Sequence, residues 1–183
     1  MIISAESISS CFVLAACILI HEGGHLTALR VRNCSVERID IEPFGASILC
    51  DPLTPYRDEL ITALAGPVAG LTAAAAGAAA MLLYPSPLLL YFSCANAALS
   101  LVNLVPAAPL DGSVILRTLL CLNQDPTTAE KILKRIGVAC TAFLAVGAAL
   151  CIVYSGFNLS PLAMTLCSAA IAPVSGRKEG KRQ

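Results

Sequence analysis

Apolar residues in this chain come in long blocks, not in short alternating or helical patterns. No charged residue falls between Leu60 and Leu110, or between Ile136 and Gly176. A bilayer core is crossed by roughly 20 apolar residues in a helix, so each tract is long enough for two crossings. A further block precedes them. The pattern predicts spans at Ser7 to Arg30, Leu60 to Tyr84, Leu88 to Val105, Ile136 to Tyr154 and, shorter and carrying Pro161, Leu159 to Val174. Backbone groups in hydrocarbon have no water to bond, so the spans are expected to be helices.

The breaks between the blocks carry their own signals. From Val31 to Glu59 the rhythm changes: Val36, Ile39, Ile41, Phe44, Ile48 and Leu49 are interrupted by Pro43 and Gly45. Short β-rich runs around a Pro/Gly turn suggest a β-hairpin, with an ordinary loop as the alternative. Span two is dominated by Ala and Gly from Ala65 to Ala80, small residues that let helices approach closely in lipid. Within it, Gly66-Pro67-Val68-Ala69-Gly70 marks tight packing or a local kink. Span three ends in Pro106-Ala107-Ala108-Pro109, which cannot continue a regular helix. Ser113 to Leu122 reads as a short helix. Asp125-Pro126 reads as an N-cap with Pro in the first helical position, opening a helix that leads into span four.

Composition agrees with this layout. Hydrophobic residues make up 57% of the 183 and charged residues 13%, where a soluble domain has about 25% charged. The formal net charge is zero, but the 12 Lys and Arg are segregated. Arg30, Arg32, Arg38 and Arg57 follow span one. Arg117, Lys131, Lys134 and Arg135 lie between spans three and four, and Arg177, Lys178, Lys181 and Arg182 form the tail. The positive-inside rule then puts the N-terminus outside and the C-terminus in the cytoplasm, with five spans. A secretory signal peptide fits poorly, because no Lys or Arg precedes the first apolar run. Nine cysteines, odd in number and without a C-x-x-C, read as reduced packing residues. The basic tail reads as a topology signal or lipid contact, not a nucleic-acid site.

The candidate chemistry sits in the last third of span one. His21-Glu22-Gly23-Gly24-His25 sets two imidazoles on one helical face with a carboxylate beside the first. They are the only histidines of the chain. A catalytic zinc takes three protein ligands and leaves one position for water, and no histidine is left to supply the third, so the acids are the candidates. Asp40, Glu42 and Asp51 lie in a polar segment, where acids are ordinary. Asp111 ends a long uncharged tract directly after a double-proline break, a costly place for a charge without a partner. Its ordinary alternative is a helix cap before Ser113. The predicted topology puts the ends of spans one and three on one side of the membrane, so the histidines and Asp111 can meet.

Both motifs resemble the site-2 protease family of intramembrane zinc metalloproteases. His21-Glu22-Gly23-Gly24-His25 matches its H-E-x-x-H. Asn103-Leu104-Val105-Pro106-Ala107-Ala108-Pro109-Leu110-Asp111-Gly112 matches its N-x-x-P-x-x-P-L-D-G, and Ala65-Gly66-Pro67 resembles an A-G-P element between them. The chain is most similar to the compact branch that holds a sporulation sigma-factor-processing protease. Ser113 stands where the family often has a second Gly. The resemblance implies one Zn2+ held by His21, His25 and Asp111, with Glu22 as general base and then acid. It also implies that Asn103 bonds substrate backbone or the developing oxyanion, and that the segment from Ile39 to Leu49 is a membrane-associated edge for an unwound substrate.

The expectation is therefore an all-α polytopic membrane protein of about five transmembrane helices with a small membrane-associated β-hairpin after the first. Residues 1–176 would form the metalloprotease domain and 177–183 a basic cytoplasmic tail. The activity expected is zinc-dependent hydrolysis of a membrane-associated protein near the cytoplasmic face of a bacterial cell membrane, releasing a regulatory protein such as a sigma factor. An inhibitory or activating membrane partner and a homo-oligomer are compatible with it, and nucleic acid is not an expected partner. Two rivals remain: a non-catalytic zinc-binding scaffold, which would not need Glu22, and a small metal transporter, for which acids are expected along several spans, where spans two, four and five contain none.

Overall fold

A computed structural model describes residues 5–34, 36–42, 45–50 and 55–154. Among them the chain forms α1 (Ala5–Val31), β1 (Val36–Glu42), β2 (Gly45–Cys50), α2 (Tyr56–Met81), α3 (Pro87–Asn103), α4 (Asp111–Asn123) and α5 (Pro126–Tyr154). The fifth expected span and the basic tail lie outside the described residues. By length and composition, Ser9–Val31 and Tyr56–Met81 are each able to cross a membrane, and Pro87–Asn103 is a shorter apolar helix. β1 and β2 pair antiparallel, from Glu42 opposite Gly45 to Val36 opposite Cys50, with an irregularity between Val36 and Arg38.

Local sequence accounts for the helix ends. Asn33 takes a left-handed φ of 49° after α1, a conformation Asn tolerates better than most residues. Its amide bonds Arg30 O and the Cys34 amide bonds Leu29 O, the pair that closes a Schellman motif. Asp125 opens α5: its carboxylate accepts from the Thr128 amide at 2.9 Å and from the Thr127 hydroxyl. Those two bonds, the hydroxyl first, hold its carboxyl down to about 2. α2 runs unbroken through Pro67, whose ring is buried.

α2 is the central helix, packed against α1, α3 and α4. It can be central because one of its faces is almost bare. Gly66, Gly70, Ala74 and Gly77 are buried at spacings of four, four and three, a single helical face. Opposite them α3 presents Ser93, Asn96 and Ser100, also buried. A side chain at Gly70 would meet Ser100 Oγ, one at Gly77 would meet Ser93 Oγ, and one at Gly66 would fall on the His25 ring. Large apolar groups point the other way: Phe12, Leu19, Val68, Leu83, Leu101 and Phe143 are exposed. A water-soluble domain buries such residues. Small residues inside and large ones outside is the arrangement of helices packed in lipid, where close backbone approach replaces a hydrophobic core.

The pairings give the helix directions. Gly24 meets Ala65 and Arg32 pairs with Asp58, so α1 and α2 are antiparallel. Gly70 meets Ser100 and Gly77 meets Ser93, so α2 and α3 are antiparallel as well. α1 and α3 therefore run the same way, and both end on the side where α4 begins. Gly24 and Gly23 then differ sharply. A Cβ at Gly24 would stand 2.9 Å from the Ala69 Cβ and closer still to the Ala65 carbonyl, whereas one at Gly23 meets nothing within 4 Å. Gly24→Ala is expected to cost about 1–3 kcal/mol through overpacking, and Gly23→Ala to be tolerated. Unfolding in detergent measures both, and equal stability of the two variants would contradict the close α1–α2 contact.

Candidate metal centre

α1 supplies the two imidazoles. His21 and His25 lie one turn apart and are nearly inaccessible, at 4% and 7% exposure. Their rings meet edge to face, with centroids 4.9 Å apart. His25 is fixed from behind, since its Nδ1 donates to Thr62 O on α2 at 2.8 Å. With the proton on Nδ1, Nε2 carries a bare lone pair, and that lone pair faces the His21 Nε2 at 3.3 Å. Gly66 makes the space for this ring.

α4 supplies the carboxylate. The chain cannot stay helical through Pro106 and Pro109, so it turns between α3 and α4. Ala107 at the turn is fully buried, and the Leu110 amide bonds Ala107 O at 2.8 Å. α4 then starts at Asp111, with Gly112 pressed against the Leu104 and Val105 carbonyls. Asp111 Oδ2 lies 3.0 Å from His21 Nε2 and 3.3 Å from His25 Nε2. The preceding residue, Leu110, is the N-cap and makes no side-chain cap bond. Asp111 thus occupies the first turn of α4 with its carboxylate aimed at the histidines, which is more than a cap requires.

His21, His25 and Asp111 therefore converge, with one donor atom from each. Four ligands at zinc–nitrogen distances near 2.0–2.1 Å stand about 3.3 Å apart when tetrahedral. The observed edges of 3.0, 3.3 and 3.3 Å fit that spacing. A purely hydrogen-bonded reading fits less well. Three acceptor-rich atoms face one another, while the buried His21 Nδ1 has no partner. Two imidazoles and one carboxylate are also the donor set of an open zinc site.

The other expected residues fall differently. Glu22 is half-buried beside His21. The structure does not bring Asn103 into the triangle: its carboxamide donates to Leu99 O at 2.9 Å. Asp51 and the side chains of Asp40 and Glu42 lie outside the described residues. Sequence reasoning missed the supporting groups. Arg117 pairs with Glu59 at 3.1 Å, tying α4 to α2 within one turn of Thr62. Arg117 had a signal, being the one basic residue in an otherwise apolar helix. Thr62 acts through its backbone carbonyl, which no side-chain pattern can reveal.

No protein-family model matches the chain. A zinc metalloprotease of Methanocaldococcus jannaschii, MJ0392, is 30% identical over 135 residues, covering 68% of this chain and 38% of that protein. The chain thus spans well under half the length of that relative. The solved structure of a site-2 protease from the same organism matches with a TM-score of 0.74 at 23% identity, covering 98% of this chain and 83% of the other. That likeness is one of fold.

Gly112 tests the geometry without touching a ligand. A Cβ there collides with two backbone carbonyls that cannot rotate away. Gly112→Ala is expected to shift Asp111 and weaken zinc binding at least tenfold, the scale of a lost supporting contact. Competition against a chromophoric chelator reads it, and wild-type affinity would argue against Asp111 as a ligand.

Proposed function

We propose that the chain, which shares 30% identity over 135 residues with a zinc metalloprotease and the fold of a site-2 protease, is a member of the site-2 protease family and an intramembrane zinc metalloprotease that hydrolyses a peptide bond in a membrane-associated protein. One observation carries this reading: His21, His25 and Asp111, up to 90 residues apart in sequence, bring three metal-ligating atoms together beside Glu22. In this reading those three residues hold one zinc ion. Zinc, when bound, polarises water and the scissile carbonyl and stabilises the negative charge that develops.

The chain's own groups do the rest. Glu22 takes a proton from the attacking water as the water oxygen bonds to the carbonyl carbon. It then delivers that proton to the amide nitrogen as the C–N bond breaks, leaving a carboxylate and an amine. The burial of the histidines keeps bulk water away from both imidazoles, while Asp111 stays partly exposed. Asn103, on the last turn of α3, bonds substrate backbone or the oxyanion after releasing Leu99 O.

A helical substrate keeps its amides bonded within itself, so it must unwind before attack. The exposed backbone needs new partners at membrane depth. The strand pair 36–50 is proposed as a membrane-associated edge that supplies them by strand addition. The segregated Lys and Arg support a five-span arrangement with the N-terminus outside and the C-terminus cytoplasmic, in a bacterial cell membrane. In it, residues 1–176 form the protease and 177–183 a cytoplasmic tail, and the cut falls near the cytoplasmic face. The substrate class is a membrane-tethered regulator, such as a sigma-factor precursor in sporulation. A regulatory membrane partner or a second copy of the chain is compatible with this surface.

Glu22→Gln is expected to retain one zinc per chain and to lower cleavage by about 10²–10⁴-fold, the usual contribution of a positioned general base. Metal analysis beside an immunoblot of co-expressed substrate checks both halves. Undiminished cleavage by the variant would exclude the mechanism.

A further inference from the structure

His21 has a second nitrogen, and its surroundings contain the groups to use it. Nδ1 is buried and unpartnered, as are Asn96 Oδ1 and Ser100 Oγ. Asn96 and Ser100 are fully inaccessible. The Asn96 carboxamide is not free to turn: its NH2 group donates to Cys17 Sγ at 3.0 Å and to Phe92 O at 2.9 Å. Both of its donors are spent, so Oδ1 can only accept. His21, with Nε2 turned into the ligand triangle, has only Nδ1–H to donate.

Helix direction places these residues on neighbouring turns of adjacent helices. α1 and α3 run parallel, and Cys17 touches Asn96. One turn further along each helix, about 6 Å, stands His21 on α1 and Ser100 on α3. Gly70 of α2 closes this layer from the third side, directly against Ser100 Oγ. One donor and two acceptors, all buried, thus fall on two adjacent turns of the α1–α3 contact, with α2 packed against it at Gly70. Buried polar groups are rarely left unpaired, and a water with several polar partners is the usual remedy.

We propose that Asn96 and Ser100 are positioning residues for His21, holding a buried water that accepts the Nδ1–H and donates to Asn96 Oδ1 and Ser100 Oγ. The water's two protons and one lone pair match the three protein atoms. The arrangement fixes the His21 tautomer and the aim of Nε2, as the Thr62 carbonyl does for His25. It rests on the metal reading above. The competing account is that Asn96 and Ser100 only bind helices to one another, as polar residues do in lipid.

The two accounts separate in zinc-loaded full-length protein labelled with 15N-histidine. The chain has two histidines, so the spectrum holds two rings. In wild type both Nδ1–H signals are expected, each slow to exchange with solvent. Ser100→Ala and Asn96→Ala should shift or lose the His21 signal, leave that of His25 in place, and weaken zinc binding about tenfold to a hundredfold. Ser93→Ala should change neither, because Ser93 stands two turns from Ser100 and its hydroxyl already donates to Leu89 O. If Asn96→Ala does not fold, Ser100→Ala decides. An unmoved His21 signal with wild-type zinc affinity in Ser100→Ala overturns the proposal while leaving the metal centre intact. Wild-type protein that binds no zinc overturns the metal reading and this one with it.

Discussion

The His25 ring occupies the space that Gly66 leaves by having no side chain, and the geometry of the site follows from that contact. With a Cβ at Gly66 the ring could not lie against α2. Without that seat, Nδ1 would not reach Thr62 O and Nε2 would not point at its neighbours. The same bare face of α2 admits Ser100 and Ser93 further along. Close approach of three helices through glycine therefore builds the bundle and orients the ligands at once. In lipid this is an economical solution, because apolar burial gives helices no advantage over contact with acyl chains.

The polar groups inside the bundle are the counterpart of its apolar outside. A charge or an imidazole in an apolar helix is costly unless another group satisfies it. His21, His25 and Asp111 satisfy one another's geometry to within a few tenths of an ångström of what a tetrahedral cation asks. Around them, polar contacts tie the helices that carry them. Arg32 with Asp58 joins α1 to α2, and Arg117 with Glu59 joins α4 to α2. Both acids sit in the first turn of α2, where the positive end of the helix dipole favours them. These pairs are partly exposed, so their contribution to stability is modest. Their effect is to set where α1 and α4 lie relative to Thr62.

In the proposed reading, Glu22 and Asn103 are unevenly prepared before substrate arrives. Glu22 is held beside the triangle by its covalent place in the motif and needs no further support. Asn103 satisfies itself on the preceding turn of its own helix. A group that exchanges an internal bond for a substrate bond gains less than its contact alone suggests, since the old bond must first break.

Much of the architecture was legible in the chain as written. Uncharged tracts of membrane length, the double-proline break and the Asp125-Pro126 start predicted α1 to α5 to within a few residues, because backbone satisfaction in lipid and the missing N–H of proline act locally. The two histidines were legible for the same reason: a spacing of four on a helix puts them on one face wherever that helix goes. Asp111 was legible as an acid in a place where acids are expensive, and as the acid of the L-D-G match. What tertiary structure decided is whatever depends on which helix faces which. The Thr62 carbonyl behind His25, the Arg117–Glu59 tie, the seat at Gly66 and the level shared by His21 and Ser100 all arise from helix direction and rotation. Those are set by the sum of many small-residue contacts along α2, and no single stretch of sequence contains that sum.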